Sequence, residues 1–373
     1  MKNSPLTIVA DQNMPRVEEL FSPFGEVLLL PGREITAADL HHADALLVRS
    51  VTQVNAELLD ASPVRFVGSA TIGTDHIDRE YLRKKQIHFA HAPGCNAEAV
   101  VQYVLAALAV TRPDWRNRSV AIIGCGNVGG RLYRRLQALG VNCSACDPFL
   151  DADSGYRLVG LEQALQADIV CLHTPLTVDG PYPTKHMITA VQLKQLKPGS
   201  LLLNAGRGAV IDNGALLDYL ADSPPVADVI LDVWEGEPAI DRRLLPLLAL
   251  ATPHIAGYSD EGRLNGTSMV YRAFCRWLDH QHTPAITADP PVELPSGLSL
   301  NEAITASYNI LEDHSRMIQM AASHADCEGL ARGFDTLRRG YPGRREFSHY
   351  QVCAQSTDAH AMGQLGFAVG RSD

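Results

Sequence analysis

Three kinds of side chain near the ends of apolar runs have the chemistry to oxidise a hydroxy acid: Arg207, Glu235 or Glu237, and His254. That reaction needs a cation to hold the carboxylate and polarise C2–O, a base for the hydroxyl proton, and a partner that tunes the base. Arg207 lies in Asn204-Ala205-Gly206-Arg207-Gly208, just after a buried run at 200–204. Its planar guanidinium suits a carboxylate, and open α/β sheets bind ligands at the C-terminal ends of their strands. Asp232-Val233-Trp234-Glu235-Gly236-Glu237-Pro238 ends the next run, and Thr252-Pro253-His254-Ile255-Ala256-Gly257-Tyr258 follows a further short one. A carboxylate beside an imidazole tunes its basicity. Spacing alone does not say whether Glu235 or Glu237 is that carboxylate. A single Arg on a turn or a single His is ordinarily structural; three such groups at successive strand ends point to a site.

The electron acceptor has its own signature. Gly124-Cys125-Gly126-Asn127-Val128-Gly129 follows the apolar run 119–123 and opens a helical stretch. In such a turn the first glycine permits the tight bend, the second lets the backbone approach a pyrophosphate, and the third lets helix and strand pack closely. The helix N-terminus then presents unpaired N–H groups to the phosphates. Asp147 ends the next strand-like run, placed to accept hydrogen bonds from ribose hydroxyls and to repel a 2′-phosphate. NAD is therefore expected rather than NADP. Nothing in the pattern calls for a metal. Cys143-Ser144-Ala145-Cys146 has CxxC spacing, but it lies within a strand-like run and no second CxxC exists.

The elements that must position these groups alternate β and α. Apolar runs at 6–10, 26–30, 45–48 and 65–68 read as short buried strands, and a second series runs through 119–123, 141–146, 169–173, 200–204 and 226–232. A helix apolar nearly all round is expected over 97–110 and another helix over 260–279. The Pro-rich stretch 283–299 reads as a linker, followed by a third unit with a helix over 304–320 and a strand over 348–353. With 373 residues, 46% of them apolar, the chain has material for two or three domains. A net charge of -10 argues against a nucleic-acid surface. No run approaches the length of a membrane span, and the eight scattered cysteines fit a reducing cytoplasm.

The ordered set of glycine turn, Asn-Ala-x-Arg, Asp-Val-x-x-x-Glu-Pro and Thr-Pro-His-Ile-Ala-Gly resembles the D-isomer-specific 2-hydroxyacid dehydrogenases over residues 5–285. The resemblance implies that Arg207, Glu237 and His254 form the catalytic group. It also implies an α/β fold of two Rossmann-like parallel-sheet domains, here with a C-terminal α+β dimerisation domain. The expected boundaries are 1–92 with 255–285 for the substrate domain, 93–254 for the NAD domain and 286–373 for the dimerisation domain. Val48-Arg49-Ser50-Val51-Thr52, Ala70-Thr71-Ile72-Gly73-Thr74-Asp75-His76, Ala92-Pro93-Gly94-Cys95-Asn96, Asp179-Gly180-Pro181-Tyr182 and the tail motifs 333–339 and Tyr341 with Arg344-Arg345-Glu346 narrow the likeness. They resemble the family members that oxidise a phosphorylated four-carbon hydroxy acid in vitamin B6 synthesis and work as homodimers. By that likeness Ser50, Thr71 and Tyr258 contact substrate. Gly124, Gly126, Asn127, Val128, Gly129, Asp147, Thr174, Ala205, Arg207, Asp232 and Gly257 line the NAD site. Arg49, beside Ser50 and Thr71, makes a sensible phosphate pocket, with a structural ion pair as its alternative role. Two other readings compete: a dehydrogenase of the same family with another substrate, such as 3-phosphoglycerate, and a non-catalytic NAD-sensing binding protein.

Overall fold

The computed structural model describes residues 5–221, 227–281 and 289–370. Val226, residues 283–288 of the 283–299 stretch and the 285/286 boundary lie outside them. The chain divides into two compact units, Met1–Asn96 with Ser259–Asp289, and Ala97–Tyr258 with Pro290–Asp373.

The first unit is built on a five-stranded parallel sheet: β1 (Leu6–Asp11), β2 (Gly25–Leu30), β3 (Ala45–Val48), β4 (Phe66–Ser69) and β5 (His88–His91), ordered β2-β1-β3-β4-β5. One face is covered by the helix Asp260–Trp277, whose Val270, Tyr271 and Phe274 pack with Ile8, Phe21 and Phe66. Ser259 caps that helix by accepting from the Gly262 amide at 2.9 Å.

The second unit holds a six-stranded parallel sheet: β6 (Val120–Ile123), β7 (Cys143–Cys146), β8 (Ile169–Leu172), β9 (Leu201–Asn204), β10 (Asp228–Leu231) and β11 (Leu250–Ala251), ordered β11-β10-β9-β8-β6-β7. β6, β8 and β9 are buried at every position, which is why they read as unbroken apolar runs rather than alternating ones. The helix Ala97–Thr111 is buried nearly all round on one face, packed with Leu300, Ala303 and Ile304 of the helix Leu300–Ser307. Met317, Met320, Leu330 and Phe334 join the core on the other face. The C-terminal segment thus contributes to both faces of this sheet.

That segment also forms a small parallel sheet of β12 (Val292–Glu293), β13 (Tyr350–Val352) and β14 (Ala368–Val369). The helix expected over 304–320 is two helices, Leu300–Ser307 and Ile310–Ser323. The break has a cause: Tyr308 is extended, with φ of -153°, and its hydroxyl donates to Asp313 inside the segment at 2.7 Å. No described helix is long and apolar enough to cross a membrane.

Candidate active site

In the sheet order of the second unit, the chain leaves β6 for β7 on one side and returns to β8 on the other. Ligands of open α/β sheets bind at this reversal, beyond the strand C-termini. Gly124 follows β6 with φ of +87°, and a Cβ on it would lie 2.8 Å from the Thr174 backbone nitrogen. A Cβ on Gly129 would lie 2.0 Å from the Gly124 carbonyl oxygen, so the turn closes only with glycine there. Gly126 and Asn127 are exposed, Val128 is half-buried, and Gly126 faces open space. The helix Gly129–Ala138 begins without a side-chain cap, the kind of N-terminus that favours an anion.

Asp147 follows β7 and turns back onto the glycine turn, accepting from the Cys125 amide at 2.9 Å and the Phe149 amide at 3.0 Å. Beyond β8, both ring nitrogens of His173 and the hydroxyl of Thr174 are buried without a partner among the described residues. Burial pushes His173 down to about 4, so the ring is neutral. Unpaired buried polar atoms beside a glycine turn are costly unless a ligand meets them, so the residues fit a dinucleotide. Cys143 and Cys146 are free thiols that burial pushes up, contrary to the needs of a redox pair.

Arg207 lies two residues past Ala205, beyond the end of β9. Asn204 builds its turn: its Nδ2 donates to the Arg207 carbonyl at 3.0 Å, and its Oδ1 accepts from the Gly206 amide at 3.0 Å. A Cβ on Gly208 would lie 1.9 Å from the Trp234 carbonyl carbon, so this turn abuts the one that follows β10. That second turn separates the two candidate carboxylates. Glu235 points to His186, 2.5 Å from its Nε2, and accepts from the Asn213 amide at 3.1 Å. His186, Asp212 and Glu235 form a cluster with ligand-type atoms within 4.8 Å. Asp212 spends an oxygen on the Ala215 amide at 3.0 Å, so the group reads as a strut between turns.

Glu237 meets His254: its Oε1 accepts from Nδ1 in a very short hydrogen bond, and its Oε2 accepts from the Trp234 amide at 3.3 Å. Burial pushes the Glu237 carboxyl up, but the hydrogen bond and charge of His254, with help from Arg338, outweigh it and hold the group below its ordinary value. With Nδ1 occupied, Nε2 is the nitrogen left to take a proton. Arg338, on the last turn of the helix Cys327–Arg339, was not singled out from the sequence as a site residue; only its place in the 333–339 tail motif marked it.

His254 itself has φ of +56°, a conformation that costs a non-glycine residue about 1–2 kcal/mol. The surroundings hold it there. Asp232, 1% exposed, accepts from the Ile255 amide at 2.8 Å and the Ala256 amide at 2.9 Å, while its own carbonyl accepts from the His254 amide at 2.7 Å. Gly257 and Tyr258 continue the loop, and the Tyr258 amide donates to the Ile255 carbonyl at 2.8 Å.

In the first unit, Arg49 follows β3 and its Nε donates to Asp11, buried at the end of β1, at 3.0 Å. Its terminal amino groups have no hydrogen-bond partner among the described residues. Ser50 is exposed. The Thr71 hydroxyl donates to the Gly73 carbonyl at 3.0 Å and lies 2.8 Å from Ser69, which contacts His76 at 3.0 Å.

Comparison with known proteins accords with this geometry. Residues 100–256 match the D-isomer specific 2-hydroxyacid dehydrogenase, NAD binding domain, and residues 278–366 match a domain of unknown function, DUF3410. An erythronate-4-phosphate dehydrogenase of Teredinibacter turnerae is 49% identical over 98% of this chain and 99% of its own. One from Saccharophagus degradans is 48% identical over the same shares. Among solved structures, NAD+-bound 3-phosphoglycerate dehydrogenase of Entamoeba histolytica has a TM-score of 0.64 at 21% identity, covering 74% of this chain and 96% of that one. D-Lactate dehydrogenase of Aquifex aeolicus, with NAD and lactic acid, has a TM-score of 0.61 at 21% identity, covering 73% and 95%. These two likenesses speak for the fold. The fold and the matched NAD-binding domain define an NAD-dependent oxidoreductase of the 2-hydroxyacid dehydrogenase class. Within that class, the chain belongs to the erythronate-4-phosphate dehydrogenase family.

Proposed function

We propose that the chain oxidises 4-phospho-D-erythronate at C2 to 2-oxo-3-hydroxy-4-phosphobutanoate, a step of pyridoxal 5′-phosphate synthesis. The observation that carries this reading is the His254–Glu237 pair on the strand ends of an NAD-binding sheet, in a chain whose named relatives match it end to end. Arg207 binds the C1 carboxylate and polarises the C2 oxygen. His254 Nε2 takes the C2 hydroxyl proton, and Glu237 stabilises the imidazolium that results. NAD, when bound, would supply the hydride acceptor for C2. The glycine turn and helix Gly129–Ala138 would hold its pyrophosphate, Asp147 the adenosine ribose, and Thr174, Ala205, Asp232 and Gly257 the nicotinamide half.

Arg49, Ser50 and Thr71 are assigned to substrate, with Arg49 and the two hydroxyls taking the phosphate and Tyr258 a further contact. Asp11 supports this role for Arg49, because it fixes Nε and leaves the terminal amino groups to a dianion. We assign the protein to the cytoplasm, in keeping with its free cysteines, and the segment from 286 onward to homodimerisation. The test is turnover with NAD, followed by NADH absorbance, on 4-phosphoerythronate, 3-phosphoglycerate and unphosphorylated erythronate. The proposal expects the first to exceed the others in kcat/KM; a preference for 3-phosphoglycerate would overturn it, and NAD binding without turnover would favour a sensor.

A further inference from the structure

The C-terminal segment brings one buried cation to the histidine loop. Arg344, 7% exposed, donates through Nη1 to the Ile255 carbonyl at 3.1 Å. Its Nη2 donates to the Ala256 carbonyl in a very short bond, and to the Ala99 carbonyl at 2.7 Å. These are the same two residues whose amides Asp232 holds from the other side. Ile255 and Ala256 are therefore gripped by a carboxylate at their N–H groups and a guanidinium at their C=O groups, directly after the left-handed His254. A guanidinium can satisfy several carbonyls at once because its donors form a rigid planar fork.

Arg344 is itself built in. Its Nε donates to Gln102 Oε1 at 3.3 Å, and its guanidinium carbon lies 4.2 Å from the centre of the Tyr308 ring. The break between the two C-terminal helices is what puts Tyr308 there. Tyr308 and Tyr341 both donate to Asp313 Oδ2, at 2.7 and 2.8 Å, and the Tyr341 ring meets Tyr258 edge-on at 5.9 Å. A buried arginine is expensive to desolvate, and its bonds to 255–256 are a return that a purely local structural role would not need.

We propose that Arg344 is a positioning residue for the reaction: it fixes the loop that carries His254, so the C-terminal segment completes the catalytic loop of its own chain. This rests on the reading of His254 as the base. Arg344 touches no reacting atom and acts through the peptide groups after His254.

The experiment compares wild type with Arg344→Lys, which keeps the charge but cannot span the carbonyls, and with two changes at Gln102. Gln102→Glu keeps an acceptor for Nε, and Gln102→Leu removes it along with the bonds of Gln102 to Ser307 and the Arg345 carbonyl. Three readouts are taken on the full-length protein: kcat and its pH profile, KM for 4-phosphoerythronate, and hydrogen exchange of the peptide spanning 250–258. For Arg344→Lys, kcat falls ten- to a hundredfold, KM changes less than threefold, the acid limb of the kcat profile moves, and exchange at 255–256 accelerates. Gln102→Leu shows the same pattern at two- to fivefold, and Gln102→Glu shows less of it. A folded Arg344→Lys with wild-type kcat, pH profile and exchange overturns the proposal, as does a kcat loss that tracks only the folded fraction. Should Arg344→Lys not fold, Gln102→Leu against Gln102→Glu decides, and normal exchange and kcat in Gln102→Leu, or equal losses in both, count against it. Faster exchange at 255–256 with unchanged kcat and pH profile would overturn the positioning role and point to an error in the His254 reading; unchanged exchange overturns the positioning alone.

Discussion

The two large sheets share a strand order, with the first strand lying between the second and the third, yet the end of that first strand is treated in opposite ways. In the second unit, β6 runs into a glycine turn that opens the helix Gly129–Ala138. In the first unit, β1 ends in Asp11, a buried carboxylate that already accepts from the Asn13 amide at 2.8 Å and from Arg49. Here the carboxylate sits on the strand itself and bonds the turn that follows, whereas in the second unit it comes from the neighbouring strand, where Asp147 accepts from the Cys125 amide. The first unit presents an oriented arginine instead. One topology thus carries a glycine turn at one strand end and a carboxylate-held arginine at the other.

Filling the glycine turn should have the largest effect on that contrast. Gly129→Val overpacks it against the Gly124 carbonyl and should weaken NADH by at least about 1–3 kcal/mol, roughly ten- to a hundredfold, in a fluorescence titration. Unchanged NADH affinity would break the comparison. Next comes Arg49→Ala. Losing a charge-assisted contact should reduce kcat/KM for 4-phosphoerythronate by about 1.5–3 kcal/mol while the unphosphorylated acid loses much less. Equal losses for both would return Arg49 to a purely structural ion pair with Asp11.

The Glu237–His254 pair gives a pH test. Glu237 is held below its ordinary value of 4.5, so the pair's contribution is complete above that pH and is lost as pH falls through the lowered folded value. Glu237→Gln removes that carboxylate, so it should reduce the kcat/KM plateau and flatten the loss of stability as pH falls below 4.5. A wild-type plateau would remove Glu237 from its partnership. The smallest effect belongs to Asp147→Ser. Losing the ribose acceptor should cost NAD about 1 kcal/mol and narrow its lead over NADP. No change in the NAD-to-NADP ratio would contradict the assignment.

Local features of this molecule were legible in the sequence because they are local in physics. The glycine turn needs its spacing, the buried parallel strands need unbroken apolar runs, and the Asn-Ala-Gly-Arg turn follows a strand by necessity. What stayed hidden depends on contacts between distant segments. Glu235 and Glu237 differ only in where the turn after β10 points them, one to His186 and the other to His254. The apolar pattern over 304–320 continues across Tyr308, and nothing in it marks the break, where Tyr308 is extended and its hydroxyl donates to the buried Asp313 carboxylate. Arg344 reads as one charge in an arginine-rich tail; its grip on 255–256 spans nearly ninety positions of chain.

The central claim is that His254, set by Glu237 and its pinned loop, is the base that takes the C2 hydroxyl proton as hydride leaves for NAD. His254→Gln keeps the volume and a hydrogen bond to Glu237 but removes the base, and should be measured for both NADH affinity and kcat with 4-phosphoerythronate. The account predicts NADH binding within a few-fold of wild type and a kcat loss of roughly a hundred- to ten-thousandfold. Near-normal turnover with cofactor bound would contradict it.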